Sequence, residues 1–251
     1  MTLSVIIITK NEADNIARCL ESVRFADEIV VLDSGSTDTT LEIAKRYTKH
    51  VYQSTDWQGY GIQKQRALAH AGGDWVLNLD ADEHVTPELR THILNAITSS
   101  TVDAYRIPIR MVFYDQPLRF CSSPKRHIRL FKRSMAQYSP DVVHEKIILP
   151  AHAVIERIKS PILHRSFRDV SHALTKLNRY SSYSAQVSMN QHTKPSLSKT
   201  LSSTIWMFFR CYVLQGGFLH GKPGLFFALY NAQGSWYRGI KQLFPDQHSE
   251  Y

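Results

Sequence analysis

The sequence predicts an α/β protein: a Rossmann-like, mostly parallel sheet flanked by helices, followed by a helical C-terminal extension. Three observations lead there. Short β-branched runs alternate with helical segments through residue 98. Polar residues with chemical potential cluster directly after those runs. The last third of the chain turns basic, aromatic and helical.

Leu3–Thr9 (LSVIIIT) reads as a buried strand, and Asn11–Arg24 as a helix with Ile16, Leu20 and Val23 at helical spacing. Glu28–Asp33 (EIVVLD) is a second buried strand, closed by the turn residues Ser34 to Asp38, and Thr39–Tyr47 is a helix. A short strand near His50–Gln53, a helix Tyr60–Ala71, the turn Gly72-Gly73 and a strand Asp74–Leu79 follow. Thr86 is placed to cap the next helix, with Pro87 at its first position. Short turns between strands and helices imply right-handed crossovers and a parallel sheet, whose ligands bind beyond the carboxyl ends of the strands. From about Val102 the pattern changes. Asp103–Phe113, His127–Arg133 and Val142–Leu149 read as strands of a mixed-sheet extension. Ser171–Val187 is amphipathic, and Ile205–Leu219 and Leu225–Tyr237 are apolar and aromatic. Two regions are expected: 1–165, binding and catalytic, and 166–251, helical and contacting acceptor or membrane.

Composition excludes several classes. With 43% hydrophobic and 21% charged residues the chain is not disordered. Three dispersed cysteines give no disulfide framework or CxxC pair, which fits a reducing cytoplasm. No signal-peptide pattern begins the chain, and no apolar run reaches the ~18–20 residues that span a bilayer. Charge is divided unevenly. Residues 1–118 carry 11 Lys/Arg against 16 Asp/Glu, and residues 119–251 carry 19 against 6. A basic half suggests an anionic partner. Without a recognisable nucleic-acid module, an anionic membrane surface or phosphorylated acceptor fits better than nucleic acid.

The chemistry concentrates at three strand ends. Asp80-Ala81-Asp82 places two carboxylates at i and i+2, a spacing that can reach one Mg2+ or Mn2+ and the diphosphate it bridges. Asp33 ends the second strand, where a carboxylate can accept a hydrogen bond from a base or ribose, while Thr37 or Asp38 caps the next helix. Gly59-Tyr60-Gly61 opens a helix bearing Gln63 and Lys64, a cationic start suited to a diphosphate. No P-loop, HExxH or GxSxG motif competes.

The order SVIIITKNEADNIARCLESV, EIVVLDSGSTDTT and GYGIQKQRALAHAGGDWVLNLDADE resembles the family 2 glycosyltransferases of GT-A fold, over residues 3–98. Within that family RLFKR, VHEKI and RCYVLQGGFLHGKPG are similar to enzymes that add glucose to the inner-core heptose of lipopolysaccharide. The resemblance implies an inverting, metal-dependent transfer from a UDP-sugar to an anionic lipopolysaccharide core, at the cytoplasmic face of the inner membrane. It implies that Thr9, Asn11 and Glu12 line the nucleotide pocket, that Asp33 binds uracil or ribose, and that Gln63 and Lys64 lie near ribose and diphosphate. Asp82 would be the principal metal ligand, with Asp80 near ribose or metal, and Glu145 the catalytic base, with Asp141 and then Asp115 as rivals. Arg126, Arg129 and Lys132, on one basic strand, are candidate contacts to diphosphate or acceptor. A polyprenyl-phosphate or other glycan acceptor, and an inactive sugar-nucleotide-binding scaffold, are the alternatives.

Overall fold

The structure, a computed structural model, describes residues 1–113, 116–118, 126–141, 145–167, 169–190 and 195–245. The elements run β1 Leu3–Thr9, α1 Ala13–Ser22, β2 Glu28–Asp33, α2 Thr40–Lys45, β3 His50–Gln53, α3 Tyr60–Ala69, β4 Trp75–Asp80, β5 Glu83–His84 and α4 Pro87–Ala96. There follow β6 Ala104–Phe113, β7 Gln116–Pro117, β8 Arg126–Lys132, β9 Gln137–Tyr138, β10 Ile147–Ile148, β11 Ile155–Arg157, β12 Ile162–His164, α5 Val170–Asn190, α6 Leu197–Phe209 and α7 Gly221–Leu243. Two compact units form, one of residues 1–110 and 124–165, the other of 111–123 and 166–251.

In the first unit β3, β2, β1 and β4 lie side by side and parallel. β8 then joins β4 antiparallel, and β6 joins β8 antiparallel, which makes the sheet mixed beyond its parallel half. Successive side chains alternate between faces, so the apolar run of β1 feeds two cores. Leu3, Val5 and Ile7 pack with Ile16, Leu20 and Leu89. Ile6 and Ile8 pack with Ala67, Leu68 and Phe131. Both faces being covered explains why residues 5–8 run apolar without alternation.

Element ends follow from particular residues. α1 starts at Ala13 rather than Asn11, because Asn11 has φ 56 and cannot continue a helix. Asp38 Oδ1 accepts from Thr40 N at 3.0 Å and Oδ2 from Ala13 N at 3.2 Å, so it serves the first turns of α2 and α1 together. Thr86 caps α4 as expected, its hydroxyl accepting from Leu89 N at 3.2 Å with Pro87 in the first turn. The expected strand Val142–Leu149 reduces to β10, which pairs with β9; residues 142–144 lie outside the described residues.

In the second unit α7 packs on α5 and α6. A Cβ at Gly239 would sit 2.3 Å from the Thr200 side chain, so only glycine lets α6 and α7 approach this closely. The expected helix Ile205–Leu219 divides. α6 begins earlier, at Leu197, loosens into a π turn over Arg210–Leu214 and stops at Gly216, whose φ is 69. Pro223 lies in the first turn of α7, where its missing N–H costs no helical bond. No helix among the described residues is long and apolar enough to cross a membrane.

Candidate active site

The carboxyl end of β4 gathers a set of buried charged side chains. Asp80 leaves the sheet there, and Lys64 and Arg129 meet its two oxygens, Nζ at 3.0 Å from Oδ1 and Nη2 at 3.0 Å from Oδ2. Lys64 also donates to Glu145 Oε1 at 2.7 Å, and Arg129 donates to Glu83 Oε1 at 2.8 Å. The result is a chain of alternating charge, Glu145–Lys64–Asp80–Arg129–Glu83, in which both cations are nearly inaccessible to water. Each partner is delivered by a different element: Lys64 by α3, Arg129 by β8, Glu83 by β5, and Glu145 by the segment preceding β10.

The electrostatics follow the pairing. Burial opposes the charge of Asp80, yet Lys64 and then Arg129 hold it well below the usual carboxylate range. Burial would lower Lys64, but Asp80, and Glu145 against the repulsion of Arg129, carry it above its ordinary value and keep it charged. Arg129 is raised likewise by Glu83 and Asp80 against its burial. Glu83 lies deepest, and burial, helped by the charge of Asp80, pushes its carboxyl up to about 7.

Asp82 stands beside this chain. Its backbone oxygen accepts from Arg165 N at 2.9 Å, and β12 pairs with β5 so that His164 faces Glu83 across the ladder. His164 Nε2 thereby comes within 2.9 Å of Asp82 Oδ2. Burial would lower the His164 pKa, but its hydrogen bond to Asp82 and the surrounding carboxylates raise it. Asp82 and His164 offer a hard oxygen and an imidazole, a donor pair suited to a divalent ion that takes its other ligands from phosphate oxygens. No group of three or more His, Cys, Asp or Glu is gathered for a metal among the described residues.

The remaining expected residues divide into two sets. Thr9, Asn11, Glu12 and Asp33 lie together at the ends of the adjacent strands β1 and β2, where Asn11, Glu12 and Asp33 brace the loops. Asp33 is fully buried, and Oδ2 accepts from Gly35 N and Ser36 N, each at 2.9 Å, while Oδ1 takes the Ser36 hydroxyl. Asn11 Oδ1 accepts from Thr37 N at 2.8 Å, and Glu12 N donates to Thr40 Oγ1 at 2.8 Å, tying the two loops to each other. Gln63 is completely buried and joins Ser34 Oγ, at 3.0 Å, to Ser54 O, at 3.1 Å.

Three of the expected residues stand in ion pairs. Asp80, expected near ribose or metal, has one oxygen facing Lys64 and the other facing Arg129. Arg129, a candidate contact to diphosphate or acceptor, directs Nη2 to both Asp80 and Glu83. Lys132 sits opposite Trp75 at the far end of β4, paired with Asp103 at 2.9 Å and lying over the Trp75 ring, so β4's length separates it from Asp80. Arg126 is placed on β8, and nothing is described of its side chain; Asp115 lies outside the described residues. Asp141 is exposed and accepts from Ser139 Oγ at 2.7 Å, outside the charge chain. Sequence reasoning missed two participants. Glu83 was legible as the third acid of the run at the strand end. His164 lies 82 residues beyond Asp82, and no spacing signal connects them.

The glycosyltransferase family 2 model matches residues 4–145, over half of the chain. The chain belongs to glycosyltransferase family 2. An uncharacterized glycosyltransferase of Rickettsia felis is 32% identical over 234 residues, covering 88% of this glycosyltransferase and 82% of the relative. The lipopolysaccharide core biosynthesis glycosyltransferase LpsC of Rhizobium meliloti is 28% identical over 263 residues, covering 98% and 96% of the two chains. Among solved structures, mannosyltransferase PcManGT of Pyrobaculum calidifontis, in complex with GDP-Man and Mn2+, superposes with a TM-score of 0.53 at 14% identity, over 98% of this chain and 88% of that one. Residues 1–349 of S. aureus TarS superpose at 0.51 with 16% identity, over 95% and 92%. These likenesses establish the GT-A fold: a mostly parallel sheet flanked by helices, with further helices at the C-terminus.

Proposed function

We propose that this glycosyltransferase moves glucose from UDP-glucose to a heptose of the lipopolysaccharide inner core, with inversion at the anomeric carbon. One observation carries the reading of the site: the candidate base Glu145 and the D-x-D carboxylate Asp80 share one buried lysine, so base and donor site are held in a single framework. The acceptor reading is supported by likeness to LpsC along almost the whole length of both chains. A lipid-linked acceptor of this kind places the enzyme at the cytoplasmic face of the inner membrane.

Asp82 and His164 would hold Mg2+ or Mn2+, which when bound neutralises charge on the departing diphosphate. The chain's own residues do the rest. The loops 9–12 and 33–37, braced by Asn11 and Asp33, border the nucleoside. Glu145 accepts the proton of the attacking heptose hydroxyl at its carboxylate as that oxygen approaches C1 from the side opposite the diphosphate. Lys64 fixes the direction of Glu145 through their 2.7 Å contact. Lys64 and Arg129, both paired with carboxylates, preserve the local balance of charge rather than binding phosphate themselves. A single displacement converts the α-linked donor to a β-linked product.

Transfer is tested with UDP-glucose, Mg2+ or Mn2+, and a core truncated to heptose, reading the anomeric configuration of the product by NMR. A β-glucosyl heptose is expected. An α-linked product, or turnover only with another sugar nucleotide or acceptor, would contradict this assignment.

A further inference from the structure

The second unit carries an apolar surface outside the residues assigned to transfer above. Along α6, Leu197, Leu201, Ile205 and Phe209 recur every four residues and are 58%, 51%, 61% and 43% exposed. Trp206 extends the row sideways, and Leu214, which ends the π turn, and Phe218 and Leu219, which follow it in sequence, are likewise more than half exposed. The opposite side of α6 is already occupied, since Thr200 meets Gly239 and Ser203 Oγ lies 3.0 Å from Ser235 Oγ of α7. At ~100° per residue the apolar row sweeps roughly half the helix circumference, with Lys199 and Arg210 along its border. An apolar stripe of this size is uncommon on a monomer's surface unless something covers it.

Charge identifies what covers it. Residues 170–245 contain eight Lys/Arg and no Asp or Glu. The whole second unit carries ten Lys/Arg against four Asp/Glu, so a second copy would set net positive charge against net positive charge. An anionic bilayer surface satisfies both features, taking the apolar side chains at the level of the acyl chains and the basic rim at the phosphates. We infer that the exposed face of α6, with the Leu214–Leu219 corner, lies in the interface of an anionic phospholipid bilayer, parallel to its plane. This deepens the acceptor reading above by naming the surface that keeps the enzyme beside a lipid-linked acceptor, and its test requires no sugar transfer.

The full chain is sedimented with vesicles of phosphatidylcholine alone and with vesicles containing about one-third phosphatidylglycerol, at low and high salt. The wild type is expected to partition onto the anionic vesicles and to weaken as salt rises. The double substitution Ile205→Ser with Trp206→Ser is expected to weaken that partition about tenfold or more, while circular dichroism and UDP affinity stay unchanged. Wild-type protein that remains in the supernatant, or a double variant that partitions like wild type, overturns the inference. A wild-type dimer that the same substitutions dissolve, without vesicle binding, also overturns it and assigns the face to a second copy. Failed transfer with vesicle binding intact would strike the acceptor reading alone.

Discussion

Lys64 keeps its charge at 4% exposure because two carboxylates lie within 3.0 Å of its Nζ. Removing one member of such a buried set strands the others. Lys64→Met should cost about 3–5 kcal/mol, read as a lowered denaturant midpoint. Glu145→Gln separates catalysis from scaffolding. If Glu145 takes the acceptor proton, kcat should fall about 10²–10⁴-fold with UDP affinity retained. A counter-ion without a catalytic role would lower stability and leave kcat near wild type. Arg129 and Lys132 share a strand yet should behave oppositely: Arg129→Met destabilises and inactivates, while Lys132→Met, which removes an ion pair with Asp103 away from Asp80, leaves kcat and KM unchanged within about twofold. Cys19 is completely enclosed, and burial first, then Glu83 and Asp82, pushes its thiol up. Iodoacetamide at pH 8 should leave it unlabelled in the native protein and modify it after denaturation.

At the scale of elements, the start of α3 is fixed by contact rather than by capping. Gly59, at φ 110, turns the chain in without a side-chain cap, and Gly61 N donates to Asp141 O at 3.2 Å. A Cβ at Gly61 would lie 1.9 Å from Ser139 O. Gly61→Ala must push α3 away from the 139–141 segment and carry Lys64 with it. A loss of about 1–3 kcal/mol is expected, with kcat falling as Lys64 and Glu145 separate. Thr86→Ala is the control at another helix start: it should cost about 1 kcal/mol through the lost cap and leave activity intact. The elements themselves were legible where signals were local. β-branched runs fixed β1, β2 and β4, and the Thr86-Pro87 pair fixed the start of α4. The division of Ile205–Leu219 was not legible, because a π turn changes hydrogen-bond register without changing the apolar pattern.

Over the whole molecule, the α/β class and the concentration of chemistry at strand ends were readable, because a parallel sheet collects the carboxyl ends of its strands on one edge. Pairings across long sequence distances were not. The sequence offered Asp80, Lys64, Arg129 and Glu145 as separate candidates, and only the order β1, β4, β8 with α3 packed beside it joins them into one chain of charge. The same limit hid His164, which reaches Asp82 only through the β5–β12 ladder. The most direct measurement is calorimetric titration of UDP with and without Mn2+, into wild type, Asp82→Ala and His164→Ala. Wild type should bind UDP tightly only with the metal, and both variants should lose most of that metal-dependent gain while keeping their fold. Metal-dependent UDP binding that survives Asp82→Ala, or no UDP binding by the wild type, would contradict a donor site at the end of β4.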